Sequence, residues 1–194
     1  MDQHVRPPIL TSLPNILTYG RIAAVPVLAA LLFFYDSPAA RWAAFAIYTA
    51  ACLTDWLDGY LARIWEQQSN LGRMLDPIAD KLLVGATLLM LVYTRDIAGW
   101  SVWAALIILS REILVSGLRE FLAELNVKIH VTQLAKWKTA FQFIALAMIL
   151  VGPAADAYIP GIRDAGMVIL WISAMLTLLT GYDYLKAGIR HAIE

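Results

Sequence analysis

The chain has one cysteine, three histidines and charge on only 15% of its 194 residues. A lone thiol, Cys52, excludes an internal disulfide framework and metal-thiolate chemistry, and reads as a small buried apolar residue. Lys and Arg number 15, as do Asp and Glu. The resulting net charge of zero says nothing about nucleic acid, and no nucleic-acid partner is expected. Soluble proteins average about 25% charged and about 45–50% apolar residues, whereas 60% of this chain is hydrophobic. That excludes an ordinary soluble domain and points to a polytopic membrane protein. The stretch before Pro14 carries prolines and one arginine but no small-residue cleavage site, so the first apolar run is expected to remain in the mature chain.

Six apolar runs are present: about Ile16 to Tyr35, Arg41 to Trp65, Leu71 to Tyr93, Trp100 to Leu122, Leu134 to Val151 and Ala165 to Leu185. Each approaches the roughly 20 residues that cross about 30 Å of hydrocarbon. The expected fold is all-α, with six transmembrane helices around a cytoplasm-facing polar cavity. It forms a single membrane domain over residues 1–194, without linker or repeat. Of the 15 Lys and Arg residues, all but Arg41, Arg95 and Arg163 fall on the side that carries both termini and the second and fourth loops, which places that side in the cytoplasm. Tyr35, Tyr93, Trp100, Trp103, Tyr158, Tyr182 and Tyr184 lie near the run ends, where an aromatic belt is expected.

The segment TDWLDGYLARIWEQQSNLGRMLDPIADK, Thr54 to Lys81, departs from this apolar background. An aspartate at a helix centre costs roughly 2.5–3.5 kcal/mol on insertion scales, so Asp55, Asp58, Asp76 and Asp80 together cost on the order of 10 kcal/mol unless compensated. At about 100° per residue, Asp55, Asp58, Gly59, Ala62 and Arg63 share one broad helix face, and Asp76 and Asp80 are i and i+4 on another. Two antiparallel helices joined by the polar turn Glu66 to Asn70 would point four carboxylates at one space. All-oxygen donors without His or Cys suit Mg²⁺ or Mn²⁺. Gly59 and Ala62 leave room for a ligand to approach the backbone. Pro77 allows a competing reading in which Asp76 is an N-cap and the third helix starts only there.

The pattern Asp55, Asp58, Gly59, Ala62, Arg63, Gly72, Asp76, Asp80 resembles, without departure, the signature of the CDP-alcohol phosphatidyltransferases. PNILTYGR, SREILVSGLREF and KWKTAFQ extend the likeness from Pro14 to about Gln142, most closely to members whose acceptor is glycerol 3-phosphate. The resemblance implies transfer of a phosphatidyl group from CDP-diacylglycerol to glycerol 3-phosphate in the bacterial cytoplasmic membrane, with release of CMP. It makes Asp55, Asp58 and Asp76 ligands of a two-ion Mg²⁺ or Mn²⁺ site, and makes Asp80 both a ligand and the general base. It assigns Asn15, Thr18, Asp58, Gly59, Ala62, Arg63 and Gly72 to the donor, and is compatible with a homodimer within the lipid. Phosphatidylglycerol, inositol phosphate or serine as acceptor stays open, as does a cation-binding membrane carrier, which would also bury carboxylates.

Other residues carry two readings each. Asn15 is a good N-cap after Pro14, with Thr18 a first-turn polar residue, or both touch the nucleotide. Arg21 points inward or snorkels to headgroups. Arg111, Arg119, Lys136 and Lys138 either pair with Glu112 and Glu120 across two helices or bind an anionic acceptor phosphate. His130 reads as a solvated loop residue.

Overall fold

The computed structural model describes residues 13–64, 70–124 and 133–193, all in helices or the short connections between them. Six helices follow one another: α1 (Leu13–Phe34), α2 (Pro38–Ile64), α3 (Asn70–Tyr93), α4 (Ser101–Glu124), α5 (Gln133–Ala155) and α6 (Ile162–Ile193). The all-α expectation holds among the described residues. Four helices, α1, α4, α5 and α6, are long and apolar enough to cross a membrane. α2 and α3, at 27 and 24 residues, have the length, but the aspartate-bearing segment lowers their hydropathy.

Helix ends differ from expectation for identifiable reasons. α1 begins at Leu13, so Asn15 lies in the first turn and is not its cap. Pro14 has no amide hydrogen to leave unsatisfied there and therefore permits the earlier start. α3 runs unbroken through Pro77, which removes the reading of Asp76 as a helix start. α5 passes Pro153 to reach Ala155. α6 continues to Ile193, 32 residues in all, because nothing after Leu185 is a glycine stop or a proline other than Gly188, which the helix accommodates. At 1.5 Å per residue it is about 48 Å long, more than a bilayer core requires. The turn Glu66 to Asn70 lies outside the described residues except for Asn70, and His130 lies outside them altogether.

The chain divides into two compact units, Met1–Thr87 and Leu88–Glu194. In the first, α1 packs on α2, and Leu28, Ala44, Tyr48, Ala79 and Leu83 are buried. In the second, α4 and α5 each pack on α6, around Ile108, Leu146, Ile149, Leu150, Leu170 and Ala174. Lipid offers no hydrophobic drive between helices, so contact depends on close approach at small residues. Gly166 on α6 supplies such a point: a Cβ there would lie 2.9 Å from Met148 Cβ and 3.2 Å from the Ile149 amide nitrogen on α5. Arg163 at the start of α6 donates to the carbonyl oxygens of Arg95 at 3.2 Å and Asp96 at 2.8 Å. This anchors the connection after α3, where Arg95 adopts φ 61°.

Tyr35, Tyr93, Trp100, Trp103 and Tyr158 are exposed at or near helix ends, as an aromatic belt requires, and Tyr182 is exposed but lies inside α6, which runs on to Ile193. Tyr184 is not part of the belt, since it is buried at 5% exposure. Cys52 is half-buried.

The α5–α6 contact can be tested by overpacking. Gly166→Ala forces a shift against backbone as well as side chain and is expected to destabilise by about 1–3 kcal/mol. Gly20→Ala, where a Cβ meets nothing within 4 Å, should be neutral or gain about 0.5–1 kcal/mol. Thermal unfolding in detergent checks both, and equal melting points would contradict the packing.

Candidate active site

Unbroken passage through Pro77 keeps Asp76 and Asp80 on one face of α3, while Asp55 sits on α2. The groups that meet them come from α1, where Thr18 and Arg21 are three residues apart and share a face. Thr18 Oγ1 donates to Asp76 Oδ1 at 2.6 Å. Arg21 Nη1 lies 2.6 Å from Asp55 Oδ1 and 3.2 Å from Asp80 Oδ1. One nitrogen thus touches carboxylates from two helices. The Arg21 side chain is fully buried, whereas those of Asp55 and Asp80 are 30% and 40% exposed. The guanidinium is therefore at the back of the cluster and the carboxylates at its open side.

Asn15 and Gly72 are buried in the same unit. Asp58, Gly59, Ala62 and Arg63 follow Asp55 along α2, but their side chains lie outside the described residues. Among the described residues no three His, Cys, Asp or Glu converge as a ready metal cage. The described donors are carboxylate oxygens, and the cation among them belongs to the protein.

The second unit holds a cluster of the opposite sign. Lys138 on α5 is buried and its Nζ pairs with Glu112 Oε1 on α4. Arg111 Nη1 lies 3.7 Å from the same oxygen. Both cations therefore lean on Glu112, as the helix-pairing alternative expected. Glu120 and Arg119, two turns along α4, are exposed, and the side chain of Lys136 lies outside the described residues.

α6 completes this cluster. Arg111 Nη2 donates to Thr180 Oγ1 at 3.0 Å, and the Thr180 hydroxyl in turn donates to the Leu176 carbonyl at 2.9 Å. The guanidinium stands over the Tyr184 ring at 5.8 Å, within cation–π range. Gly181 supplies the space between them: a Cβ there would sit 3.1 Å from Arg111 Cγ. Ser173 also donates to the Lys138 carbonyl at 3.3 Å.

Two contributions escaped sequence reasoning. For Arg21 the sequence allows two readings, yet α1 carries no acidic residue of its own and four aspartates need cations. That imbalance was the available signal. Thr180, Gly181 and Tyr184 gave none, because their hydropathy suits a span and a tyrosine near a helix end suits a belt.

The profile of the CDP-alcohol phosphatidyltransferase family matches residues 11–179. A CDP-diacylglycerol--glycerol-3-phosphate 3-phosphatidyltransferase of Rickettsia bellii is 47% identical over 176 residues, 91% of this chain and 94% of that protein. One from Cereibacter sphaeroides is 35% identical, with 92% and 96% covered. A cardiolipin synthase (CMP-forming) of Oryza sativa is 39% identical over 93% of this chain but 58% of its own length. Four apolar spans together with phospholipid-synthesising relatives make this an integral membrane protein. With the match running over most of its length, and with an intact aspartate signature on two consecutive helices, the chain belongs to the CDP-alcohol phosphatidyltransferase family.

Proposed function

We propose that the protein transfers the phosphatidyl group of CDP-diacylglycerol to glycerol 3-phosphate, giving phosphatidylglycerophosphate and CMP. The observation that carries this reading is the convergence of Asp55 and Asp80, two members of the aspartate signature, on a single buried cation. It is supported by relatives named for that reaction across nearly their whole length. The profile match spans residues 11 to 179, which supports a single catalytic domain over residues 1–194. The Lys and Arg distribution supports a cytoplasmic site, and the Rickettsia and Cereibacter relatives support a bacterial inner membrane.

The donor set fits a hard divalent ion, Mg²⁺ or Mn²⁺, since it consists of carboxylate oxygens already gathered around positive charge. Asp55, Asp58, Asp76 and Asp80 would hold two such ions, which would polarise the pyrophosphate and stabilise the leaving CMP oxygen. Asn15, Thr18, Asp58, Gly59, Ala62, Arg63 and Gly72 would border the donor. Thr18, bonded to Asp76, orients that carboxylate as well.

The reaction forms one P–O bond and breaks another. The primary hydroxyl oxygen of glycerol 3-phosphate attacks the phosphatidyl phosphorus, and the electron pair of the broken bond leaves on CMP. The hydroxyl proton passes to Asp80, whose side chain is exposed enough to meet an acceptor. Arg111, Arg119, Lys136 and Lys138 would bind the acceptor phosphate. Glu112 keeps Arg111 and Lys138 together, and among the described contacts one carboxylate faces two cations, a balance that favours a dianionic phosphate.

Phosphatidylglycerol as acceptor, which the signature leaves open, is the second reading, and the Oryza relative named a cardiolipin synthase (CMP-forming) favours it. Purified protein with CDP-diacylglycerol and Mg²⁺ should release CMP on addition of glycerol 3-phosphate. Release with phosphatidylglycerol alone would favour the second reading, and no release with any alcohol would remove both.

Asp80→Asn should still bind donor and metal while turnover falls by about 10²–10⁴. Asp55→Asn should lose metal-dependent activity altogether. Full activity in either variant contradicts its assignment.

Lys138→Ala and Arg111→Ala should raise the KM for glycerol 3-phosphate by roughly ten- to a hundred-fold, the scale of one charge-assisted contact, with little change in donor KM. Gly181→Ala, which presses on Arg111, should raise the acceptor KM several-fold while kcat at saturating acceptor is largely kept. Steady-state kinetics in mixed micelles reads all three, and wild-type acceptor KM throughout would refute the acceptor assignment.

A further inference from the structure

Arg21 is the largest fully buried side chain among the described residues, and the transfer chemistry assigns it no role. Nothing acidic lies on its own helix, so the charge that balances it comes from other helices. Its Nη1 is shared between Asp55 on α2 and Asp80 on α3. Those are two of the four oxygen donors that the proposed function gives to the divalent ions. Thr18 holds a third, Asp76, through a neutral hydroxyl. Among the described residues, Arg21 brings a full positive charge to Asp55 and Asp80.

We propose that Arg21 is the internal counter-ion of the carboxylate cluster, a fixed cation that a divalent ion must displace from Asp55 and Asp80 in order to bind, so that this residue sets metal affinity. The inference rests on the reading of those aspartates as metal ligands. Without any cation, mutually repelling carboxylates in low-hydropathy but membrane-length helices would be driven apart. A buried guanidinium with planar, rigidly spaced donors holds Asp55 and Asp80 close to one another. The same charge opposes an incoming dication, and in a medium less polarisable than water that opposition is strong. A weaker, reversible metal site is the consequence. The opposite role, in which Arg21 merely positions the carboxylates for the ion, predicts the opposite sign: losing it would let the ligands separate and would weaken metal binding.

The test is Mn²⁺ titration by calorimetry on the full chain in nanodiscs, without substrates, paired with thermal unfolding at zero and saturating Mn²⁺. Arg21→Gln should bind Mn²⁺ roughly tenfold or more tightly than the parent. Its metal-free melting temperature should fall and should recover when Mn²⁺ is added, because the ion replaces the missing charge. Arg21→Lys should remain within a few-fold of the parent. Unchanged or weaker Mn²⁺ binding by Arg21→Gln overturns the inference, and so does a variant that cannot be recovered folded even with Mn²⁺ present. Asp55→Asn separates this failure from failure of the underlying reading. If the parent binds Mn²⁺ and Asp55→Asn does not, an unchanged Arg21→Gln sinks the counter-ion role alone. If the parent binds no Mn²⁺, or Asp55→Asn binds it as well as the parent does, both fall.

Discussion

The cost of holding carboxylates in membrane-length helices is the constraint on which the first half of this protein depends. Each uncompensated aspartate is worth a few kcal/mol against insertion, comparable to a large share of a domain's net stability. The contacts of Arg21 with Asp55 and Asp80 answer that cost with a planar cation whose donors suit carboxylate oxygens. Burying an ion pair is itself expensive. Here the expense is moderated because both carboxylates stay partly exposed, so only the arginine is wholly withdrawn from solvent. Placing the cation behind and the anions in front leaves carboxylate oxygens available to a ligand.

That arrangement explains why α3 cannot start at Asp76. A helix beginning there would turn the proline to ordinary use, but it would forfeit the length by which α3 carries Asp76 and Asp80 at a fixed phase. Running the helix from Asn70 sacrifices one backbone bond at Pro77 and fixes two aspartates one turn apart. The low hydropathy of α2 and α3, which keeps them out of the set of plainly apolar spans, follows from the same demand.

Much of this was legible in the sequence because it is periodic or compositional. Six apolar runs became six helices with ends moved by a few residues, and the aspartates at helical spacing fell on helices. What was not legible depends on which way a single side chain turns. Tyr184 and Tyr182 look alike in sequence, yet one is buried under Arg111 and the other is exposed, a difference of two residues in helix phase. Arg21 could equally have snorkelled, and only three-dimensional proximity to two other helices decides that it does not. α6 was read too short because hydropathy reports the membrane, whereas backbone hydrogen bonding continues wherever no residue stops it. Asp58, Arg63 and Lys136 match the family's pattern, but their side chains lie outside the described residues, so their roles rest on sequence alone.

The two polar clusters follow one electrostatic rule with the signs exchanged. In the first unit, among the described residues, Arg21 is shared by two carboxylates. In the second a single carboxylate, Glu112, is shared by two cations, Arg111 and Lys138. A shared partner of opposite sign suppresses the repulsion that would otherwise splay like charges, yet among the described residues each cluster keeps more of one sign than of the other. Such a cluster is stable enough to fold and still attracts a ligand of the minority sign: a divalent cation in the first case, a phosphate in the second. Full pairing of every charge would have given a more stable membrane protein with weaker reason to bind either. Thr180, Gly181 and Tyr184 fit this logic, because a hydroxyl, a gap and an aromatic face hold Arg111 in place without neutralising it. An acidic residue at any of those positions would hold the guanidinium more tightly and remove the charge that the acceptor phosphate needs.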